Sequence, residues 1–188
     1  MKIVGTWSGH DCSFCVLDDG KPVVHAEYER YIREKEPQGD SLQFMFDNLD
    51  DYEDIKYFAT CHSLNKLKNY QHSYEKLIKI INKNDGNLFV LGHHQCHAAN
   101  AFFSSNYDKA LIFTIDGGGV ESNEGFLSAF TVWKGEGNKI EPVKIFPIQE
   151  VNIGGVWTRV TRYVFKLQSG WPRGHQAGTV MAMAAMGD

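Results

Sequence analysis

Several features that would place this 188-residue chain in a membrane, on a secretory route or on a nucleic acid are missing from its sequence. No stretch approaches the roughly 18 apolar residues of a membrane-spanning helix. The opening MKIVGTWSGHDC also lacks the apolar segment of a signal peptide. The net charge is −4, and lysines and arginines are scattered instead of forming a basic stripe. We therefore expect a cytoplasmic protein that binds neither membrane nor nucleic acid.

Cysteine is scarce, with four residues in the chain. Cys12 and Cys15 form a C-x-x-C, which is a spacing found in zinc and redox sites. The sequence around Cys15 has the pattern of a strand, in which residues three apart point to opposite faces. We expect buried free thiols kept reduced by the compartment.

Three common catalytic motifs are also absent. The chain has no G-x-x-x-x-G-K-[ST], which excludes a P-loop NTPase. Its glycine run at 117–119 lacks the G-x-G-x-x-G spacing of dinucleotide-binding folds. No H-E-x-x-H occurs, which disfavours a zincin protease.

The apolar pattern predicts a globular α/β protein built from two similar units. Each unit has a strand, a turn with Gly and Asp, a second strand, a hairpin with Gly, a third strand and helical sequence. We expect a first lobe at 1–106 (βββαβαβα) and the start of a second at 107–188 (βββα). The second lacks counterparts of the later elements, so we expect the front part of a larger protein.

Helices are predicted where apolar residues recur at helical spacing. Residues 41–49 suit a short helix with Ser41 as N-cap. Residues 65–86 suit a longer one that ends near Gly86. A third helix is expected at 156–168.

A histidine cluster, LGHHQCHAANA, follows the strand predicted at 87–92. His93 and His97 are four residues apart, so on a helix they share one face and can bind the same cation. His94 points elsewhere, and we expect it to hydrogen-bond around the site without binding the ion. The alternative is a histidine-rich helix end at the surface.

Two glycine-bearing turns carry further candidate residues. In TIDGGG, Asp116 and the residues Gly117, Gly118 and Gly119 can bind phosphate or a hydrated cation, or can simply form a tight turn. In the first turn, His10 and Asp11 can bind a polar substrate or transfer a proton, or Asp11 can bond the local backbone.

A basic segment, ERYIREK, follows the third predicted strand and ends at Lys35. Such a run is usually a solvated face, but beside a phosphate site it can bind anionic groups.

Five segments carry a resemblance to a known family. They are GHDCS, ERYIREK, HHQCHAANAFFSS, ALIFTIDGGG and GTVMAMAAMG, in this order. With them the sequence resembles the carbamoyltransferases that include the nodulation and antibiotic O-carbamoyltransferases. One departure is that Glu36 and Pro37 follow Lys35, where the family commonly has His-Asp.

The resemblance implies a fold of the actin, sugar-kinase and Hsp70 superfamily (ASKHA), with ribonuclease-H-like lobes related to the tRNA threonylcarbamoyl-transfer proteins. It implies iron or zinc on His93 and His97, with an Asp ligand beyond Asp188.

The resemblance also implies an activity. A second domain makes carbamoyl-adenylate from carbamoyl phosphate and ATP, and the two-lobed domain moves the carbamoyl group to a hydroxyl acceptor. His10, Asp11 and Lys35 would line the carbamoyl-adenylate pocket, and Asp116 with Gly117 to Gly119 would face the nucleotide.

Two other functions stay open at this point. One is a sugar kinase or ATPase on the same scaffold, which leaves the histidine pair without a role. The other is a non-catalytic lobe that binds a nucleotide or a partner. The exposed surfaces of an incomplete lobe would also allow a homodimer.

Overall fold

The computed structural model describes residues 1–35, 37–61, 69–121, 126–167 and 176–187. The chain forms two compact units, Met1–Leu91 and Gly92–Asp188. The boundary between these units, after Leu91, lies earlier in the chain than the boundary expected after residue 106. The reason is that the helix after Gly92 packs on strands that follow it. Each unit is described by itself.

The first unit contains a five-stranded mixed sheet. Its strands are β1 (Lys2–Trp7), β2 (Ser13–Asp18), β3 (Lys21–Glu27), β4 (Tyr57–Cys61) and β5 (Asn87–Leu91). The order is β3-β2-β1-β4-β5. Strands β1 to β3 are antiparallel neighbours, whereas β4 runs parallel to β1 and β5 to β4. This mixed order confirms the predicted α/β class and is the arrangement expected of a ribonuclease-H-like lobe.

The hairpin between β2 and β3 is the one that Asp-Gly predicts. Asp19 and Gly20 have φ values of 47° and 77°. Positive φ at both central residues matches the right-handed twist of paired strands.

Among the described residues of this unit, three α-helices accompany the sheet: α1 (Tyr28–Ile32), α2 (Ser41–Asn48) and α3 (Gln71–Lys83). The N-cap of α2 is Asp40, whose carboxylate accepts the N–H groups of Leu42 and Gln43 at 3.0 and 3.2 Å. The prediction of Ser41 as N-cap was therefore wrong by one residue. Its hydroxyl lies 2.7 Å from that of Ser8 instead.

Helix α3 covers the part of the predicted 65–86 helix from Gln71 onward, and residues 65–68 lie outside the described residues. Its C-cap is Asn84 and not Gly86. Gly86 has another role: a Cβ there would lie 2.3 Å from the Lys56 carbonyl oxygen. Glycine thus permits close approach of two backbones at the start of β5.

The core of the first unit lies between the sheet and the helices α2 and α3. Val4, Phe14 and Phe58 from the strands pack with Met45 and Leu77 from the helices, and each is at most 2% exposed. Burial of this apolar surface is the main stabilising contribution.

The second unit contains an antiparallel sheet, β6 (Lys109–Glu121), β7 (Phe126–Glu136) and β8 (Lys139–Pro147), in this order. Strand β6 extends past the predicted end at Asp116, so the three glycines lie within it. The pairing of β6 with β7 is irregular between Ile115 and Gly119. Asp116 thus lies at an interruption of the regular β6–β7 pairing.

Helix α4 (His93–Phe103) packs on one face of this sheet. Ala98 and Phe102 form a buried cluster with Ile112 of β6 and Trp133 of β7. Because these contacts anchor the helix, its histidine-bearing first turn is positioned against β6.

The helix predicted at 156–168 is interrupted. Helix α5 (Gly155–Arg159) continues into a π-helical turn at Val160–Val164. The Thr161 hydroxyl donates to the Trp157 carbonyl at 2.7 Å, and such a side-chain bond competes with the backbone ladder. A last helix, α6 (Ala177–Ala184), lies within the apolar C-terminal segment.

The four cysteines are free thiols. Cys12 is buried, as expected, and burial raises the pKa of its thiol to about 12, whereas Cys15 is only half-buried. None of the helices in the described residues combines the length and apolar character that crossing a bilayer requires.

Candidate metal centre

The first turn of α4 carries the histidine pair. Strand β5 ends at Leu91, Gly92 is the N-cap, and His93 is the first helical residue. The Nε2 atoms of His93 and His97 are 3.1 Å apart. The structure therefore places both imidazoles on one helical face, as their spacing predicts.

Asp116 of β6 lies against both rings. The His93 Nε2 is 2.6 Å and the His97 Nε2 is 3.4 Å from the same Asp116 oxygen, Oδ2. The other oxygen, Oδ1, accepts the N–H of Gly117 at 2.5 Å. One ligand atom from each of the three side chains lies within 4.8 Å of the others. We refer to His93, His97 and Asp116 as the His–His–Asp triad.

The electrostatics of the triad keep the Asp116 carboxyl ionised. Burial acts to raise the pKa of Asp116, but hydrogen bonds from His93, His97 and Gly117 outweigh it and hold that pKa far below its usual range. The hydrogen bond to Asp116 raises the pKa of His97. An ionised carboxylate thus lies against two imidazoles, and either protons or a metal ion can balance its charge.

The donor set fits iron or zinc. Two imidazole nitrogens and one carboxylate oxygen are ligand types that both ions accept. Atoms that bind one ion at about 2.0–2.2 Å are themselves about 3–3.5 Å apart, which is close to the spacing in the triad.

Two glycines make room for the triad. A Cβ on Gly119 would lie 2.1 Å from Cγ of His93, so only glycine allows the imidazole to rest on β6. A Cβ on Gly154, before α5, would lie 2.1 Å from the backbone carbon of Asp116. Gly118 has a φ of 144°, a backbone conformation that favours glycine. Gly117 is not required for space, because a Cβ there would meet no atom within 4 Å.

His94 is fully buried, and its ring lies edge-on to that of His93 with the centroids 5.3 Å apart. Its Nε2–H donates to the Ser128 carbonyl at 3.1 Å, and its Nδ1 lies 2.9 Å from the Thr114 hydroxyl. The indole N–H of Trp133 donates to the same hydroxyl at 3.0 Å. Burial lowers the pKa of His94, which favours the neutral ring. His94 thus fixes the helix to β6 and β7.

Glu121 is a residue that the sequence reasoning missed. The residue is 7% exposed, and its Oε1 accepts the backbone N–H of His94 at 2.6 Å. Burial raises the pKa of this carboxyl. Its partner lies 27 positions earlier in the chain, so no local pattern could reveal the contact.

The first unit holds the other predicted residues. His10 Nδ1 lies 2.8 Å from Asp11 Oδ2, and this hydrogen bond lowers the pKa of Asp11. Asp11 has a φ of 55°. Lys35 Nζ forms an ion pair with Glu29 at 3.2 Å.

A cavity of about 430 Å³ in this unit is lined by both Asp11 and Lys35, while His10 is not among its lining residues. Its other lining residues include Arg30 and Glu27, which are paired at 2.9 Å. The structure therefore brings two of the three predicted catalytic residues to one cavity. Glu36, which departs from the family pattern, lies outside the described residues.

Asp116 has a different environment from the one that the resemblance implies. The resemblance assigns it to the nucleotide and assigns the carboxylate ligand to a residue beyond Asp188. In the structure, the Asp116 carboxylate lies beside the imidazoles of His93 and His97 instead. A nucleotide role for Asp116 and for Gly117 to Gly119 stays a prediction.

A family model described as carbamoyltransferase N-terminus matches residues 64–188, more than half of the chain. The match includes the whole triad but not His10, Asp11 or Lys35.

Two curated proteins are similar in sequence. Nodulation protein NolNO of Sinorhizobium fredii (strain NBRC 101917 / NGR234) is 25% identical over 179 residues, covering 82% of this chain and 25% of that protein. The uncharacterized protein sll1178 of Synechocystis is 34% identical over 79 residues, covering 42% and 12%. The chain thus spans a quarter or less of these relatives.

Two solved structures are weakly similar. YeaZ from Pseudomonas aeruginosa has a TM-score of 0.47 and 9% identity, covering 98% of this chain and 93% of that one. An uncharacterized protein with similarity to peptidase YEAZ has a TM-score of 0.49 and 10% identity, covering 100% and 93%.

Proposed function

We propose a function from one premise: this chain belongs to the carbamoyltransferase family, whose N-terminal region it matches. The proposal is that it forms part of a metal-dependent domain that transfers a carbamoyl group from carbamoyl-adenylate to a hydroxyl acceptor. The observation that supports this most is the convergence of the His–His–Asp triad on one point.

The triad would hold iron or zinc. His93 and His97 would bind through Nε2, and Asp116 would bind through Oδ2 while Gly117 N–H orients its other oxygen. A divalent ion there supplies a Lewis acid that polarises a carbonyl or phosphoryl oxygen.

The residues of the first unit would bind the substrate and move the proton. Lys35 lines the cavity and would supply a positive charge for a phosphate oxygen. His10, whose imidazole is oriented by Asp11, would accept the proton of the acceptor hydroxyl. The acceptor oxygen then bonds to the carbamoyl carbon, the bond from that carbon to the adenylate oxygen breaks, and AMP leaves.

The adenylate would come from elsewhere. Since the chain spans only 25% of NolNO, we propose that another part of a longer protein, or a separate enzyme, makes it from carbamoyl phosphate and ATP.

Metal content tests the proposal first. Wild type should retain about one equivalent of iron or zinc after gel filtration, and H93A/H97A should retain none. His72, an exposed histidine of α3, supplies the matched control, because H72A should retain as much metal as wild type.

Transfer activity tests it second. Carbamoyl-adenylate and a hydroxyl acceptor should give AMP and a carbamate ester, with a loss of about 100-fold or more on metal removal. Acceptor-dependent conversion of ATP to ADP that persists in H93A/H97A would instead support the sugar-kinase alternative. A lobe that binds nucleotide without turnover would also contradict the proposal.

A further inference from the structure

We propose that Glu121 is a positioning residue for the metal centre. Its buried carboxylate caps the first turn of α4 and thereby sets the distance between the histidine pair and Asp116. This inference rests on the proposed metal site and adds to it a residue that binds no metal.

The first turn of α4 needs an acceptor from elsewhere in the chain. The first N–H groups of a helix have no partner within it, and a side chain at the N-cap usually supplies one. Here the N-cap is Gly92, which has no side chain. Glu121 supplies the acceptor by taking the N–H of His94 at 2.6 Å, and the N–H of Gln95 also interacts with it.

The capping bond lies next to a ligand. His93 is the first residue of the helix, and the N–H that Glu121 holds belongs to the following residue. A shift of this turn would move the His93 ring, whose Nε2 lies 2.6 Å from Asp116.

One strand carries both carboxylates. Asp116 and Glu121 lie on β6, on either side of Gly119, which the His93 ring contacts. The same strand thus supplies a metal ligand and the anchor of the helix that supplies the other two ligands. Outer partners of this kind orient metal ligands, and their removal commonly weakens metal binding.

The surroundings of Glu121 also offset the cost of burying its carboxylate. Burial of a carboxylate is costly unless it is hydrogen-bonded. Here it receives backbone N–H groups at the positive end of the helix dipole. Removing it would free the turn that carries the imidazoles, while the apolar contacts of Ala98 and Phe102 would keep the helix on the sheet.

The test measures affinity for Co²⁺, titrated as the chloride against a competing chelator, together with its visible spectrum. E121A should bind Co²⁺ about 100-fold more weakly than wild type, and E121Q, which keeps an acceptor oxygen, about tenfold more weakly. The Co²⁺ bands of E121A should also change, because the ligands are no longer held in one geometry.

Two control variants separate positioning from general stability. Glu136 is an exposed carboxylate of β7 that pairs with Lys109, so E136Q removes the same charge without touching α4. The Ser105 hydroxyl donates to the Phe102 carbonyl at the far end of the helix, so S105A destabilises the helix away from the histidines. Both should bind Co²⁺ within about twofold of wild type.

The outcomes separate this inference from the proposed function. If H93A/H97A binds Co²⁺ as wild type does, the proposed metal site is wrong and this inference falls with it. If that double variant loses Co²⁺ while E121Q and any folded E121A keep wild-type affinity, Glu121 is only a structural cap. If E121A does not fold, the Co²⁺ affinity of E121Q alone decides whether Glu121 positions the metal centre.

Discussion

The candidate side chains of the two units are held in very different ways. In the second unit the side chains of His93, Asp116 and His97 are 18%, 38% and 55% exposed. In the first unit the side chains of His10, Asp11 and Lys35 are 59%, 53% and 79% exposed. A helix and a strand hold the side chains of the second unit. In the first unit, His10 and Asp11 lie in a turn, and Lys35 has a long flexible side chain.

This difference separates two kinds of site. A metal ion needs ligand atoms placed to within a fraction of an ångström, which packed helices and strands can provide. A substrate of several polar groups can order exposed side chains as it binds. We therefore expect the second unit to be preorganised and the first to depend on its ligand.

The largest effect should come from filling the space beneath His93. A Cβ on Gly119 would overlap the imidazole, so G119A should weaken metal binding about as much as loss of a ligand, by about 100-fold. G117A is the matched control, because its Cβ meets open space. Equal Co²⁺ affinities for the two variants would show that the ring is not held against β6.

Stability should follow the same contrast between units. H94A removes a buried ring with hydrogen-bond partners at both nitrogens and should cost about 3 kcal/mol of unfolding free energy. H10A removes an exposed ring and should cost about 0.5 kcal/mol or less. Urea unfolding measures both, and a large loss for H10A would mean that the first turn is as rigid as the metal centre.

The smallest effect concerns pH. The hydrogen bond from His10 lowers the folded-state pKa of Asp11 below 3.8. Asp11 therefore stabilises the fold above that pH, and the contribution is lost as pH falls through the folded-state value. D11N should destabilise the protein slightly at pH 6, and the difference from wild type should shrink at low pH. A difference that grows on acidification would contradict this.

Local patterns predicted much of the architecture. Asp19-Gly20 predicted the first hairpin, and the spacing of His93 and His97 predicted their common helical face. Both features depend on residues close in sequence, where periodicity and turn chemistry act directly.

Features that depend on distant residues could not be predicted in this way. The contact of Asp116 with the histidines depends on how α4 packs on β6, which Ala98 and Phe102 help to decide. The cap from Glu121 depends on the same packing. Even the local expectation at Ser41 was wrong by one residue, because the Asp40 carboxylate is the acceptor that caps α2.

The most direct test of the central claim is X-ray absorption spectroscopy at the zinc edge of the metal-loaded protein. The His–His–Asp triad predicts nitrogen and oxygen ligands at about 2.0–2.1 Å, with imidazole scattering from two rings. A sulfur ligand at about 2.3 Å, which Cys96 on the same helix would supply, or a signal from one imidazole or none, would contradict it.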